Sequence, residues 1–158
     1  MHRVLFICTA NICRSPMAMG LLRQRAASQP DQWIVESAGT WTEGDEPAAA
    51  RTVQVLRNRG IDLGNFQSRI VTGEMLRSFD LILTMEKGHK EAIKIEFPDL
   101  ADRIFLLSEM INQDYDIDDP IGKPVSAFEE TARDIDEILV RGFPKIFALS
   151  KGRYDGTN

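Results

Sequence analysis

Val4-Leu5-Phe6-Ile7-Cys8-Thr9-Ala10-Asn11-Ile12-Cys13-Arg14-Ser15-Pro16 is the stretch that decides the fold and points to the chemistry. Arg3–Ile7 runs without polar alternation, as a strand does when buried on both faces of a parallel sheet. Ser15-Pro16 reads as a helix start, with Ser15 as N-cap and Pro16 at the first helical position. The polar loop between them then sits at a strand tip and turns successive backbone N–H groups inward. With the partial positive charge of the helix end, such a loop holds an oxyanion. That field favours the thiolate of a cysteine, so Cys8 reads as a nucleophile and Arg14 as its cationic partner. A structural cysteine beside a surface arginine is the competing reading. The conjunction of strand, loop, arginine, Ser-Pro and amphipathic helix favours the nucleophile.

Outward from this stretch, strands and helices alternate. Met17, Ala18, Leu21 and Leu22 recur at helical spacing through about Ser28. Pro30-Asp31 breaks the chain, and Trp33–Ser37 reads as a second strand. Ala49, Val53 and Leu56 mark one face of a helix closed by Gly60. Phe79–Leu83 is the central strand, Glu86–Glu96 a helix ended by Pro98, and Arg103–Leu107 a fourth strand. The last helix opens on a Ser126/Glu129 capping box and turns Phe128, Ala132, Ile135 and Leu139 inward. Gly142 and Pro144 kink or split it. The order predicts an α/β three-layer sandwich, a four-stranded parallel sheet with helices on both faces. Residues 1–158 form one domain in this reading, with a frayed tail at 151–158. Ligands of such sheets bind beyond the carboxyl ends of the strands, where the Cys8 loop lies.

Composition narrows the function. The formal charge is −5, and the thirteen arginines among 158 residues form no block, which argues against nucleic acid or a polybasic membrane surface. No stretch reaches transmembrane length, and residues 4–7 are too short for a signal peptide. Two cysteines five residues apart cannot staple a chain of this length, so a reducing, cytoplasmic setting is expected. Cys8, Cys13, His2 and His89 match no zinc spacing, and no metal or other cofactor is expected.

A thiolate attacking phosphorus needs an acid to protonate the leaving oxygen. Asp114-Tyr115-Asp116-Ile117-Asp118-Asp119-Pro120 supplies candidates. Pro120 biases Asp119 toward extended geometry and so fixes the direction of its carboxylate. Asp118 is the alternative one residue away.

Together, Cys8-x5-Arg14-Ser15-Pro16 near the start and Asp119-Pro120 far downstream resemble the low-molecular-weight protein tyrosine phosphatases. Glu36-Ser37-Ala38-Gly39-Thr40 and Phe79–Leu83 extend the likeness over nearly the whole chain. The resemblance implies a flavodoxin-like core and a two-step reaction through phosphocysteine, without a metal. Cys8 attacks, Arg14 and the loop Thr9, Ala10, Asn11, Ile12 and Cys13 hold the phosphoryl oxygens, and Asp119 serves as acid and then base. It further implies that Asn11 shapes the loop, Ser15 donates to the Cys8 sulfur, and Ser37 supports the loop from behind. Cys13 is a trap for oxidised Cys8 or a small buried residue. The expected partner is a phosphorylated protein, with a cognate tyrosine kinase upstream of it.

The chain departs from the family pattern at three places. Ala10 stands where the family has glycine, a strain if that position needs positive φ. The Tyr-Tyr after Asp-Pro is replaced by Ile121-Gly122, and Phe66 falls where the family often has a supporting histidine. Trp41 either supplies the missing aromatic wall or anchors its loop. Ile12 favours phosphotyrosine over phosphoarginine. An arsenate reductase on the same fold, a phosphopeptide-binding module and a nucleotide-binding protein are the rivals. The first, in a self-contained thioredoxin-coupled form, needs cysteines that are missing downstream, while a glutathione- or mycothiol-type exchange stays open; the second needs no acid, and the third needs a glycine-rich fingerprint.

Overall fold

The computed structural model describes residues 1–152. Four strands, β1 (His2–Cys8), β2 (Trp33–Gly39), β3 (Leu81–Thr84) and β4 (Ile104–Leu106), form one parallel sheet in the order β2-β1-β3-β4. The helices around it are α1 (Arg14–Arg25), α2 (Ala50–Arg57), α3 (Gly73–Ser78), α4 (Lys87–Glu96), α5 (Val125–Arg141) and α6 (Phe143–Leu149). Alternation along the central strands sorts the core into two layers. Val4, Phe6 and Cys8 face Met17, Leu21 and Leu22 of α1, Leu56 of α2, and Phe128, Ala132, Ile135 and Leu139 of α5. Leu5 and Ile7 face Leu76 of α3 and Ile93 of α4. The fold is the expected α/β three-layer sandwich, and no helix among the described residues is long and apolar enough to cross a membrane.

The strand order places the site. β1 pairs with β2 on one side and β3 on the other, so successive crossovers diverge at its carboxyl end. Cys8 is the last residue of β1, and the loop to α1 fills that crevice.

Several local readings need correction. Helix α1 starts at Arg14 with Cys13 as its cap, not Ser15, because the Ser15 hydroxyl is engaged by the loop instead. The Ser126/Glu129 box does not form: α5 begins at Val125 behind Pro124, with no side-chain cap. The short α3, capped by the Thr72 hydroxyl accepting from Met75 N–H, was not anticipated. The split between α5 and α6 at Gly142 is as expected, because a Cβ there would lie 2.8 Å from both Met110 Cβ and the Ile138 carbonyl oxygen. At the start of the expected frayed tail, Lys151 bridges antiparallel to His2. The rest of that expectation, 153–158, lies outside the described residues.

Candidate active site

The loop from Thr9 to Cys13 is built around Asn11, which is fully buried and adopts φ +59°. Asparagine tolerates this left-handed conformation better than most side chains. Its amide is spent on the scaffold. Oδ1 accepts from Arg69 N–H at 3.0 Å, and Nδ2 donates to Ser15 Oγ at 2.7 Å and Ser37 Oγ at 2.9 Å. Because Ser15 Oγ accepts a hydrogen bond from Asn11, its own O–H is free to donate to the Cys8 sulfur, 3.0 Å away. Ser37 is buried and donates onward to Met19 Sδ at 3.6 Å. Ala10 takes no positive φ, so the feared strain is absent; Asn11 carries that conformation instead.

Among the described residues, no N–H of residues 9–13 donates to another group of the chain. These are the donors an oxyanion would engage. The loop also depends on a close approach. A Cβ on Gly39 would lie 2.5 Å from the Thr9 carbonyl oxygen and 3.1 Å from Asn11 Cβ, both rigidly held. Gly39→Ala is therefore expected to displace the loop. We expect a loss of about 1–3 kcal/mol of stability, typical of overpacking, and at least a tenfold loss of kcat. Thermal melts and steady-state rates on the purified variant check both.

Arg14 is 2% exposed although it carries a full charge. Three groups compensate its burial. Nη1 donates to the Ile117 carbonyl at 2.6 Å and pairs with Glu86 Oε2 at 3.0 Å, and Nη2 lies 3.7 Å from Asp119 Oδ2. Asp119 is held in turn by Ile121 N–H donating to Oδ1 at 3.1 Å. One narrow pocket is lined by Cys8, Ala10, Ile12, Cys13, Arg14, Asp119 and Ile121. Asp118 lines a neighbouring depression with Tyr115, Lys123 and Glu130, so Asp119 is the carboxylate that shares the pocket of Cys8. Trp41 is 83% exposed and packs as no anchor, but its N–H donates to the Thr9 carbonyl at 3.0 Å, which seats it beside the loop.

Cys13 is buried, and burial pushes its thiol up to about 12, so it rests as a thiol at neutral pH. Two residues that sequence reasoning missed complete the site. Glu86 precedes α4 and holds Arg14, and His89 on α4 lies 2.9 Å from Thr9 Oγ1 through Nε2. Burial lowers the His89 pKa, against the opposing pull of Glu86. With Phe66 in place of the family's histidine, the loop is bonded by Arg69 N–H at Asn11 and by His89 of α4 at Thr9.

A phosphoryl group seated among the free N–H groups would meet a sulfur below, a guanidinium beside it and a carboxylate at the mouth, as in phosphatases that work through a cysteine. Residues 3–147 match the family model described as low molecular weight phosphotyrosine protein phosphatase, and the chain belongs to that family. It is 37% identical over 146 residues to the probable low molecular weight protein-tyrosine-phosphatase EpsP of Ralstonia nicotianae, covering 92% of this chain and 97% of the relative. A protein-arginine-phosphatase of Bacillus subtilis is 32% identical over 137 residues, 86% of this chain and 91% of its own. An arsenate reductase of Staphylococcus aureus is 31% identical over 140 residues, with coverages of 89% and 94%. Among solved structures, the low molecular weight protein tyrosine phosphatase of T. tengcongensis superposes with TM-score 0.87 at 33% identity, covering 92% of this chain and 99% of that one. A cysteine-to-serine variant of the YwlE arginine phosphatase, carrying a phosphorylated active-site serine, superposes at 0.84 with 31% identity, 95% of this chain and 97% of that one.

Proposed function

We propose that the chain removes phosphate from phosphotyrosine in proteins, without a metal, through a phosphocysteine at Cys8. The observation that carries this reading is the shared pocket: the Cys8 sulfur, which receives the Ser15 hydroxyl, lines it together with Arg14 and Asp119. In the first step Cys8 Sγ attacks phosphorus in line as the bond to the leaving oxygen breaks. Asp119 gives that oxygen its proton, while Arg14 and the N–H groups of residues 9–13 hold the equatorial oxygens. In the second step water attacks phosphorus, Asp119 takes its proton, and Ser15 donates to the departing sulfur. Asn11 and Ser37 keep the loop in this shape.

Phosphotyrosine is favoured by the apolar walls Ile12 and Ile121 and by the exposed indole of Trp41 beside the loop. Residues 1–158 act as one domain in this reading, in a reducing cytoplasm that keeps Cys8 out of disulfides, opposite a cognate tyrosine kinase. Phosphoarginine is the second reading, because a relative of similar identity is a protein-arginine-phosphatase. Arsenate reduction is weaker, since Cys8 and Cys13 are the only cysteines of the chain. Hydrolysis of a phosphotyrosyl and a phosphoarginyl peptide, each with and without EDTA, separates them. We expect EDTA to change nothing and kcat/KM to favour phosphotyrosine at least tenfold. The reverse preference assigns the chain to phosphoarginine, and arsenate reduction without peptide hydrolysis overturns the reading.

A further inference from the structure

Two groups support the oxyanion site, and one side chain touches both. Thr9 opens the loop after Cys8, and Glu86 holds Arg14. His89, 8% exposed on α4, reaches each of them. Its Nδ1 lies 3.2 Å from Glu86 N, and an amide N–H can only donate, so Nδ1 carries a lone pair. The ring proton of the neutral imidazole is therefore on Nε2, 2.9 Å from Thr9 Oγ1, to which it is donated, with Glu86 Oε2 3.4 Å from the same nitrogen. Thr9 is held at a second point by Trp41 N–H on its carbonyl.

We propose that His89 is a positioning residue that couples the start of the oxyanion loop to the carboxylate that orients Arg14. Its ring fixes the Thr9 side chain, and with it the direction of the first loop N–H groups. Through the Glu86 N–H it also fixes the turn into α4 from which the Glu86 carboxylate reaches Arg14. The inference rests on the phosphatase reading for its kinetic consequence, but its binding consequence does not depend on turnover. His89 touches no reacting atom, so its effect passes through Thr9 and Glu86.

The test measures inorganic phosphate affinity by calorimetry in a Cys8→Ser background, and kcat in the otherwise native chain. His89→Ala is expected to weaken phosphate binding and lower kcat about tenfold each, the scale of one lost buried hydrogen bond. His89→Gln, whose amide N–H reaches toward Thr9, is expected to recover most of the loss. Thr9→Val is expected to cost less, because the contacts of His89 with Glu86 remain, and the double variant no more than His89→Ala alone, because the bond to Thr9 is already gone. Should His89→Ala fail to fold, Thr9→Val, which exchanges a hydroxyl for a methyl, reads the Thr9 half of the coupling on its own. A lowered Tm with phosphate affinity and kcat within twofold of the parent would overturn the proposal, as would a glutamine variant no better than alanine, or losses that multiply. If native protein hydrolyses no phosphate ester, the phosphatase reading fails while the phosphate-binding arm still decides the role of His89.

Discussion

Cys8→Ser is expected to abolish hydrolysis of para-nitrophenyl phosphate, by about 10⁴-fold or more, the scale on which losing a nucleophile acts. Phosphate binding should stay close to native. The two outcomes separate because the sulfur makes the covalent bond, whereas the holding is done by the N–H groups of residues 9–13 and by Arg14. None of these moves when a sulfur becomes an oxygen: the loop is held by Asn11, Ser15, Ser37 and Arg69, through hydrogen bonds of 2.7–3.0 Å. Steady-state kinetics beside calorimetric phosphate titration checks both halves. A serine variant with near-native turnover would remove Cys8 from the mechanism. A variant that loses phosphate affinity as well would mean that the sulfur, not the loop, organises the site.

Asp119→Ala is expected to slow alkyl phosphate hydrolysis by about 10²–10⁴-fold, the range general acids supply, and to slow para-nitrophenyl phosphate far less. Nitrophenolate leaves as a stable anion and needs little protonation, whereas an alkoxide needs the proton as the bond breaks. Asp118→Ala should change neither by more than about twofold, since Asp118 lines the neighbouring depression rather than the pocket of Cys8. Measuring kcat/KM over a series of leaving groups tests the assignment. A steepened leaving-group dependence in Asp118→Ala instead would move the acid by one residue. A second effect accompanies the loss of Asp119: Arg14 gives up one of the two carboxylates near it but keeps Glu86 and the Ile117 carbonyl, so its position should hold.

The chain itself disclosed the frame of this site and hid its supports. Val4–Ile7, Leu21, Leu22, Phe128 and Ile135 are apolar at the periods of buried strands and one-sided helices, so β1, α1 and α5 were legible. Cys8, Arg14 and Asp119-Pro120 were legible because local geometry demands those residue types in that order. Ser15 was legible as a member of the loop, by resemblance, but misread as a cap: the same hydroxyl satisfies a helix end or a sulfur, and only the folded loop decides. The six-residue α3 carries too few positions for a period, and its capping Thr72 is one polar residue among many in that stretch. Glu86 and His89 were invisible for another reason. Their partners Arg14 and Thr9 lie on the far side of a strand crossover, 80 residues away for the His89 bond, and no local pattern records such a contact. Ala10 shows the converse, since a departure that looked strained costs nothing once Asn11 takes the left-handed position.

Covalent phosphorylation of Cys8 is the central claim, and rapid quenching during turnover followed by intact and peptide mass spectrometry tests it most directly. The account predicts a species heavier than native by one phosphoryl group, located on the peptide holding Cys8, formed within the first turnover and absent from Cys8→Ser. Phosphate released through a full first turnover with no mass added at Cys8, or the added mass found on Cys13 or a histidine, would contradict it.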